Sequence, residues 1–99
     1  MELALQLLGK RWTGLVIFQL LIGPQRFSEI EAALPVSGRL LTERLKELEK
    51  EGIVKRQLYP EVPVRVEYSL TEKGRALEPI FQDIQSWAEN WISLDSGER

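Results

Sequence analysis

Arg39, Thr42, Glu43, Lys46 and Lys50 are spaced so that a helix, turning 100° per residue, carries them on one side. Leu41, Leu45 and Leu48 fall on the other side, with Leu40 on its flank. Such a helix is apolar toward its own protein and offers donors outward, which is what entry into the major groove of double-stranded DNA requires. Arg39, in the first turn beside Ser37 and Gly38, can make two parallel hydrogen bonds to guanine. Thr42 suits a phosphate or a thymine methyl. Glu43 suits a cytosine amino group, or it orients Arg39. Lys46 and Lys50 suit phosphates further along. The same face also fits a solvated helix, since Glu47 and Glu51 beside Lys46 and Lys50 allow ordinary i,i+4 pairing. The residue types alone leave both readings open.

Other chemistries have less to work with. The 99 residues contain no cysteine and no histidine, so thiol chemistry, disulfides and the usual zinc ligands are absent. Acid–base catalysis would fall to a carboxylate, lysine or tyrosine with a strongly shifted pKa. There is no glycine-rich phosphate loop and no paired-carboxylate signature. The chain is therefore expected not to be an enzyme and to need no metal and no cofactor. The net charge of −2 offers no overall attraction for nucleic acid. It is unevenly spread, however: residues 39–65 hold seven basic and five acidic side chains, and residues 71–99 hold three and six. Only charge within roughly 8–10 Å matters at a contact in physiological salt.

The elements that position these residues follow from pattern. An apolar share of 43% suits one soluble domain over residues 1–99. Leu3, Leu5, Leu7 and Leu8 suggest a first helix ending near Gly9. Residues 12–22 are apolar on nearly every face, as for a helix covered on most sides. That stretch is too short to span a membrane and Gln19 interrupts it, so a cytoplasmic protein with no membrane association is expected. Gly23-Pro24-Gln25-Arg26 reads as a turn. Ser28-Glu29-Ile30-Glu31 has the form of a capping box opening a short helix that Pro35 ends. Ser37 is a second N-cap, with Val36 and Leu41 spaced as a hydrophobic staple, and Gly52 closes that helix. Residues 54–59 and 64–70 are rich in β-branched and aromatic side chains around Pro60-Glu61-Val62-Pro63, which predicts a hairpin. Thr71 caps a last helix, about 72–93, with Leu77, Ile80, Phe81, Ile84, Trp87, Trp91 and Ile92 at helical spacing and Pro79 expected to kink it. The order predicts a mainly α fold with a small β-hairpin (α+β): a winged helix-turn-helix with terminal dimerisation helices.

Within that frame, Arg65 and Lys55-Arg56 are candidate contacts to the DNA backbone or simply exposed strand charges. Ser28 caps a helix N-terminus where a phosphate also fits, and Arg26 lies beside it. Phe81, Ile84, Trp87 and Trp91 form either core against the first helix or, the reading preferred here, a homodimer interface. A dimer supplies two half-sites about 34 Å apart on a roughly palindromic operator. Trp12, Trp87 and Trp91 could line a cleft for a small-molecule effector of unknown identity, or belong to the core.

Several stretches carry a resemblance: Leu7-Leu8-Gly9-Lys10-Arg11-Trp12, Gly23-Pro24-Gln25-Arg26-Phe27-Ser28-Glu29-Ile30, Leu41-Thr42-Glu43-Arg44-Leu45-Lys46-Glu47-Leu48-Glu49, the run from Tyr59 through Thr71, and Gly74-Arg75. Together the chain resembles the HxlR-type transcriptional regulators of bacteria and archaea, relatives of the MarR group. The resemblance implies a homodimeric, DNA-binding transcription regulator dimerised through its terminal helices. It places the DNA-reading segment on residues 37–46 and the wing on residues 59–66. Several members sense oxidants or electrophiles through a cysteine upstream of the Gly-Lys-Trp stretch, and these 99 residues offer no such thiol. Arg11 inserted in that stretch and Gly38 in the DNA-reading helix are minor departures. The reading is thus a sequence-specific double-stranded DNA-binding regulator acting as a homodimer. The alternative, suggested by the acidic balance, is a protein-interaction module that kept the scaffold without the DNA contacts.

Overall fold

A computed structural model describes residues 1–92. Glu2–Leu8 forms α1, and a turn leads into α2, Thr13–Leu20. Gln25–Arg26 is a short strand, β1, followed at once by α3, Phe27–Ala33, and, after a four-residue turn, by α4, Gly38–Lys50. The hairpin comprises β2, Val54–Tyr59, and β3, Arg65–Leu70. A single turn, α5, Glu72–Arg75, and a long helix, α6, Glu78–Trp91, follow. The single helix expected over about 72–93 is thus two, and the second stops at Trp91, where Ile92 turns extended; residue 93 lies outside the described residues.

One apolar cluster holds these elements. Val16, Ile17 and Leu20 of α2, Ile30 of α3, Leu41, Leu45 and Leu48 of α4, and Ile53, Val54 and Leu70 at the base of the hairpin are all buried. Each such side chain removed from water contributes on the order of 1.5–3 kcal/mol. Two end signals hold as expected. Ser37 Oγ accepts the Leu40 N–H at 3.1 Å and so opens α4. Gly52, at φ +76°, takes the left-handed conformation that ends it, where a side chain would be strained. Thr71 Oγ1 accepts the Gly74 N–H at 3.1 Å, while the Thr71 N–H donates to the Ile53 carbonyl at 2.9 Å. The end of the wing is thereby tied to the end of α4.

Three expectations are corrected. Gln25–Arg26 is not a turn: it pairs antiparallel with β3, Gln25 opposite Tyr68 and Arg26 opposite Glu67, giving a three-stranded sheet of order β1-β3-β2. Gln25 is buried and exchanges hydrogen bonds with Gln19, donating to its carbonyl at 2.8 Å and accepting from its amide at 3.0 Å. The polar residue interrupting α2 thus satisfies a buried partner. Second, because β1 holds the chain extended through Arg26, α3 starts two residues early. Glu29, not Glu31, accepts the Arg26 backbone N–H, at 2.8 Å, and Ser28 lies inside the first turn rather than capping it. Third, Pro79 does not kink a continuous helix; it sits in the first turn of α6, where its missing N–H has no intrahelical partner to lose. Helix α2, by contrast, is covered on most sides as expected: Thr13, Val16, Ile17 and Leu20 are buried, and only Leu15 and Phe18 leave one stripe exposed.

Candidate nucleic-acid interface

Helix α4 has its three core leucines facing α2 and the sheet, which turns Arg39, Glu43, Lys46 and Lys50 to solvent. Among the described residues none of these four makes an ion pair. Neither the Arg39–Glu43 link nor pairing of Lys46 and Lys50 with Glu47 and Glu51 is formed. Instead Glu47 accepts from Lys10 at 2.9 Å and from Arg44 at 3.4 Å, and Arg44 Nε donates to the Arg11 carbonyl at 2.9 Å. These contacts run from the back of α4 to the turn between α1 and α2. They take up the acidic charge of Glu47, so the outward cations stay unneutralised. Sequence reasoning missed this brace, and the i,i+3 spacing of Arg44 and Glu47 was its only local sign.

The other candidates on α4 divide. Ser37, exposed, is engaged as the cap. Thr42 is half-buried and its hydroxyl donates to the Gly38 carbonyl at 2.8 Å, so its one O–H is used and it keeps acceptor capacity and a methyl. Gly38 is half-buried where α3 approaches: a Cβ there would come within 2.7 Å of a Glu31 carboxylate oxygen and 3.8 Å of the Phe27 ring. The Glu31 carboxylate is the far end of a flexible side chain and the ring distance is ordinary contact, so the site does not by itself demand glycine. Arg26 and Ser28 lie exposed at the start of α3, Arg26 on β1.

The wing departs further from expectation. Arg65 does not stand free. It reaches Glu61 Oε2 at 2.8 Å and Glu67 Oε2 at 2.6 Å, and its guanidinium lies 3.9 Å from the Tyr59 ring centroid. The hydrogen bonds from Arg65 hold the Glu61 carboxyl below its usual range, and both carboxylates keep Arg65 still more firmly protonated. Lys55 and Arg56 are exposed on β2, on alternate faces.

On α6 the structure separates the four residues assigned to an interface. Phe81 is half-buried against the chain's own core. Ile84, Trp87 and Trp91 are 54%, 57% and 76% exposed, and they continue into Ile80 and Ile92. An open groove of about 600 Å³ between α1 and α4 is lined by Leu3, Leu7, Lys10 and Glu47 among others, and by none of Trp12, Trp87 or Trp91. Among the described residues no set of acidic side chains is grouped to hold a metal ion, and no helix is long and apolar enough to cross a membrane.

Comparison with known proteins agrees with this architecture. Residues 7–96 match the family described as HxlR-like helix-turn-helix. The chain is 65% identical to the uncharacterized HTH-type transcriptional regulator YvaP of Bacillus subtilis, over 92% of this chain and 85% of that protein. It is 55% identical to the HTH-type transcriptional regulator YodB of the same organism, over 92% and 82%. The structure of reduced YodB superposes with a TM-score of 0.85 at 52% identity, covering 97% of this chain and 95% of that one. These relatives are regulators of transcription rather than enzymes. A helix-turn-helix formed by α3 and α4, a hairpin wing and this breadth of similarity have one meaning: the chain belongs to the HxlR-like helix-turn-helix family of DNA-binding transcriptional regulators.

Proposed function

We propose that the protein acts in the cytoplasm as a homodimer that recognises a roughly palindromic operator in double-stranded DNA, as one domain spanning residues 1–99 with α6 serving dimerisation. The observation that carries the proposal is the outward face of α4, where Arg39, Glu43, Lys46 and Lys50 stand exposed and unpaired among the described residues. Arg39 reads a base, Glu43 and Thr42 adjust preference beside it, and Lys46 and Lys50 meet phosphates. Ser37 and Gly38 present the helix start to the groove, with Arg26 and Ser28 near the flanking backbone. The dimer is supported by Ile84, Trp87 and Trp91, whose apolar surface the described residues leave exposed. Any small-molecule effector would act without a thiol from these residues, which include no cysteine.

Selection of bound duplexes from a random pool, with sequencing, tests the proposal. Enrichment of an inverted repeat with half-sites about one helical turn apart is the expected result. Failure to retain any duplex at low salt would favour a protein-interaction role on the same scaffold instead.

A further inference from the structure

The hairpin register collects an ionic cluster at the base of the wing. Tyr59 lies opposite Arg65, Gln57 opposite Glu67, and Arg26 opposite Glu67 from the other side. Residues paired across a ladder share a face, and so do residues two apart on a strand, so Tyr59, Arg65, Glu67 and Arg26 emerge together. Glu61 joins them from the loop. Arg65 uses Nε and Nη2 on the two Glu61 oxygens, at 3.3 and 2.8 Å, and Nη1 on Glu67 at 2.6 Å, over the Tyr59 ring. This planar, forked and stacked set of contacts is one that lysine cannot reproduce.

Two consequences follow. A phosphate approaching this guanidinium meets two carboxylates already on it, so Arg65 is poorly placed as a free backbone anchor. The loop, by contrast, has few other ties to the strands: Pro60 and Pro63 stiffen it locally, but Val62 is fully exposed, and Glu61 N–H to the Tyr59 carbonyl at 2.8 Å is its backbone hydrogen bond among the described residues. The Glu61 carboxylate is what moors it to β3.

We propose that Arg65 is a positioning residue: it clasps Glu61 and Glu67 over Tyr59, fixes the course of the 60–64 loop, and supports the wing's contact with DNA through that shape rather than through a phosphate bond of its own. The inference rests on the DNA-binding reading above. The two ideas predict opposite signs. If Arg65 were a phosphate ligand held back by its neighbours, Glu61→Gln or Glu67→Gln would release it, remove a negative charge and tighten binding. If it is a clasp, the same changes loosen the loop and weaken binding.

The test measures affinity of the full chain for the tightest duplex recovered by selection, and backbone 15N order parameters at Val62 and Val64 in the free protein. Glu61→Gln, Glu67→Gln and Arg65→Lys are each expected to lower those order parameters and to weaken binding roughly two- to fivefold, the scale of a partly exposed ion pair. Unchanged or tighter binding in the glutamine variants, or wild-type affinity in Arg65→Lys, would overturn the positioning role. Unchanged order parameters in all three would overturn the clasp itself. A wild-type protein that retains no duplex would overturn the parent reading and the DNA-contact half of this one, while the relaxation measurement still decides the clasp.

Discussion

Helices α4 and α6 are nearly equal in length, 13 and 14 residues, and both carry apolar side chains at helical spacing. Their fates differ. Leu41, Leu45 and Leu48 of α4 are at most 1% exposed, whereas no residue of α6 is buried. Period tells that a helix has an apolar side, but not whose surface covers it. Helix α4 lies between α2 and β2, which cover its apolar side, whereas few of the described elements flank α6. The contrast assigns the two helices different work, α4 presenting a polar face from a fixed core and α6 offering an apolar face that still lacks a cover.

Truncating the core side of α4 is the harshest way to test that contrast. Leu45→Ala should lose about 2–5 kcal/mol of stability, the usual cost of a cavity at a fully buried leucine. For a domain of this size that lowers the melting temperature by roughly 10 °C or more, measurable by thermal denaturation followed by circular dichroism. A loss below 1 kcal/mol would mean that the core does not hold α4 as firmly as its burial implies.

The opposite expectation applies to α6. Trp87→Ala with Ile84→Asp should leave helical content intact but raise the dimer dissociation constant by at least about 30-fold, as buried interface tryptophans commonly cost 2 kcal/mol or more. Sedimentation velocity across a concentration series reads this directly. A dimer of unchanged strength would place the interface elsewhere, and α1 with the exposed Leu15, Phe18 and Ile22 is one other apolar surface available.

A third change touches only the polar side of α4. Arg39→Ala should cost about 1–3 kcal/mol of duplex affinity and relax preference at a single base position, with thermal stability unchanged. Competition binding against operator variants measures both. A uniform loss over all sequences would reassign Arg39 to a phosphate.

How far these roles were legible beforehand varies with the range of the physics involved. The Ser37 cap, the Gly52 stop, the hairpin and the two faces of α4 are local effects of a few residues, and they were readable from spacing. Strand β1 was not, because two residues carry no period and Gly23-Pro24 dominates the stretch; only pairing with Tyr68 and Glu67, more than forty positions away, makes it a strand. The capping error followed from the same cause, since the strand decides where α3 begins. The brace of Lys10, Arg11, Arg44 and Glu47 and the engagement of Arg65 were equally hidden. A charged side chain in a sequence declares its sign but not its partner: Glu47 and Glu67 are local to Arg44 and Arg65, but Lys10, the Arg11 carbonyl and Glu61 come from other elements or from a loop whose path only the fold defines.

The smallest effect expected concerns acidity at the wing. Glu61 donates nothing when ionised and only accepts, so its hold on Arg65 requires the carboxylate, and the hydrogen bonds from Arg65 hold its pKa below the ordinary value of 4.5. Arg26 adds a weaker attraction in the same direction, and Arg65 itself stays charged throughout. A group whose pKa is lowered in the folded state gives stability that is present above its unfolded value and lost as pH falls through the folded one. The clasp is therefore expected to be insensitive between pH 6 and 8 and to open only in acid, below about pH 4.5. Because Glu61 is solvent-exposed, the change should show in the amide shifts of Val62 and Val64 and scarcely in global unfolding. Glu61→Gln should abolish that acid transition while leaving the core residues' shifts in place. Core shifts that moved in step with those of the loop would show that the wing unfolds with the body, and that its shape is not set by Arg65 and its two carboxylates.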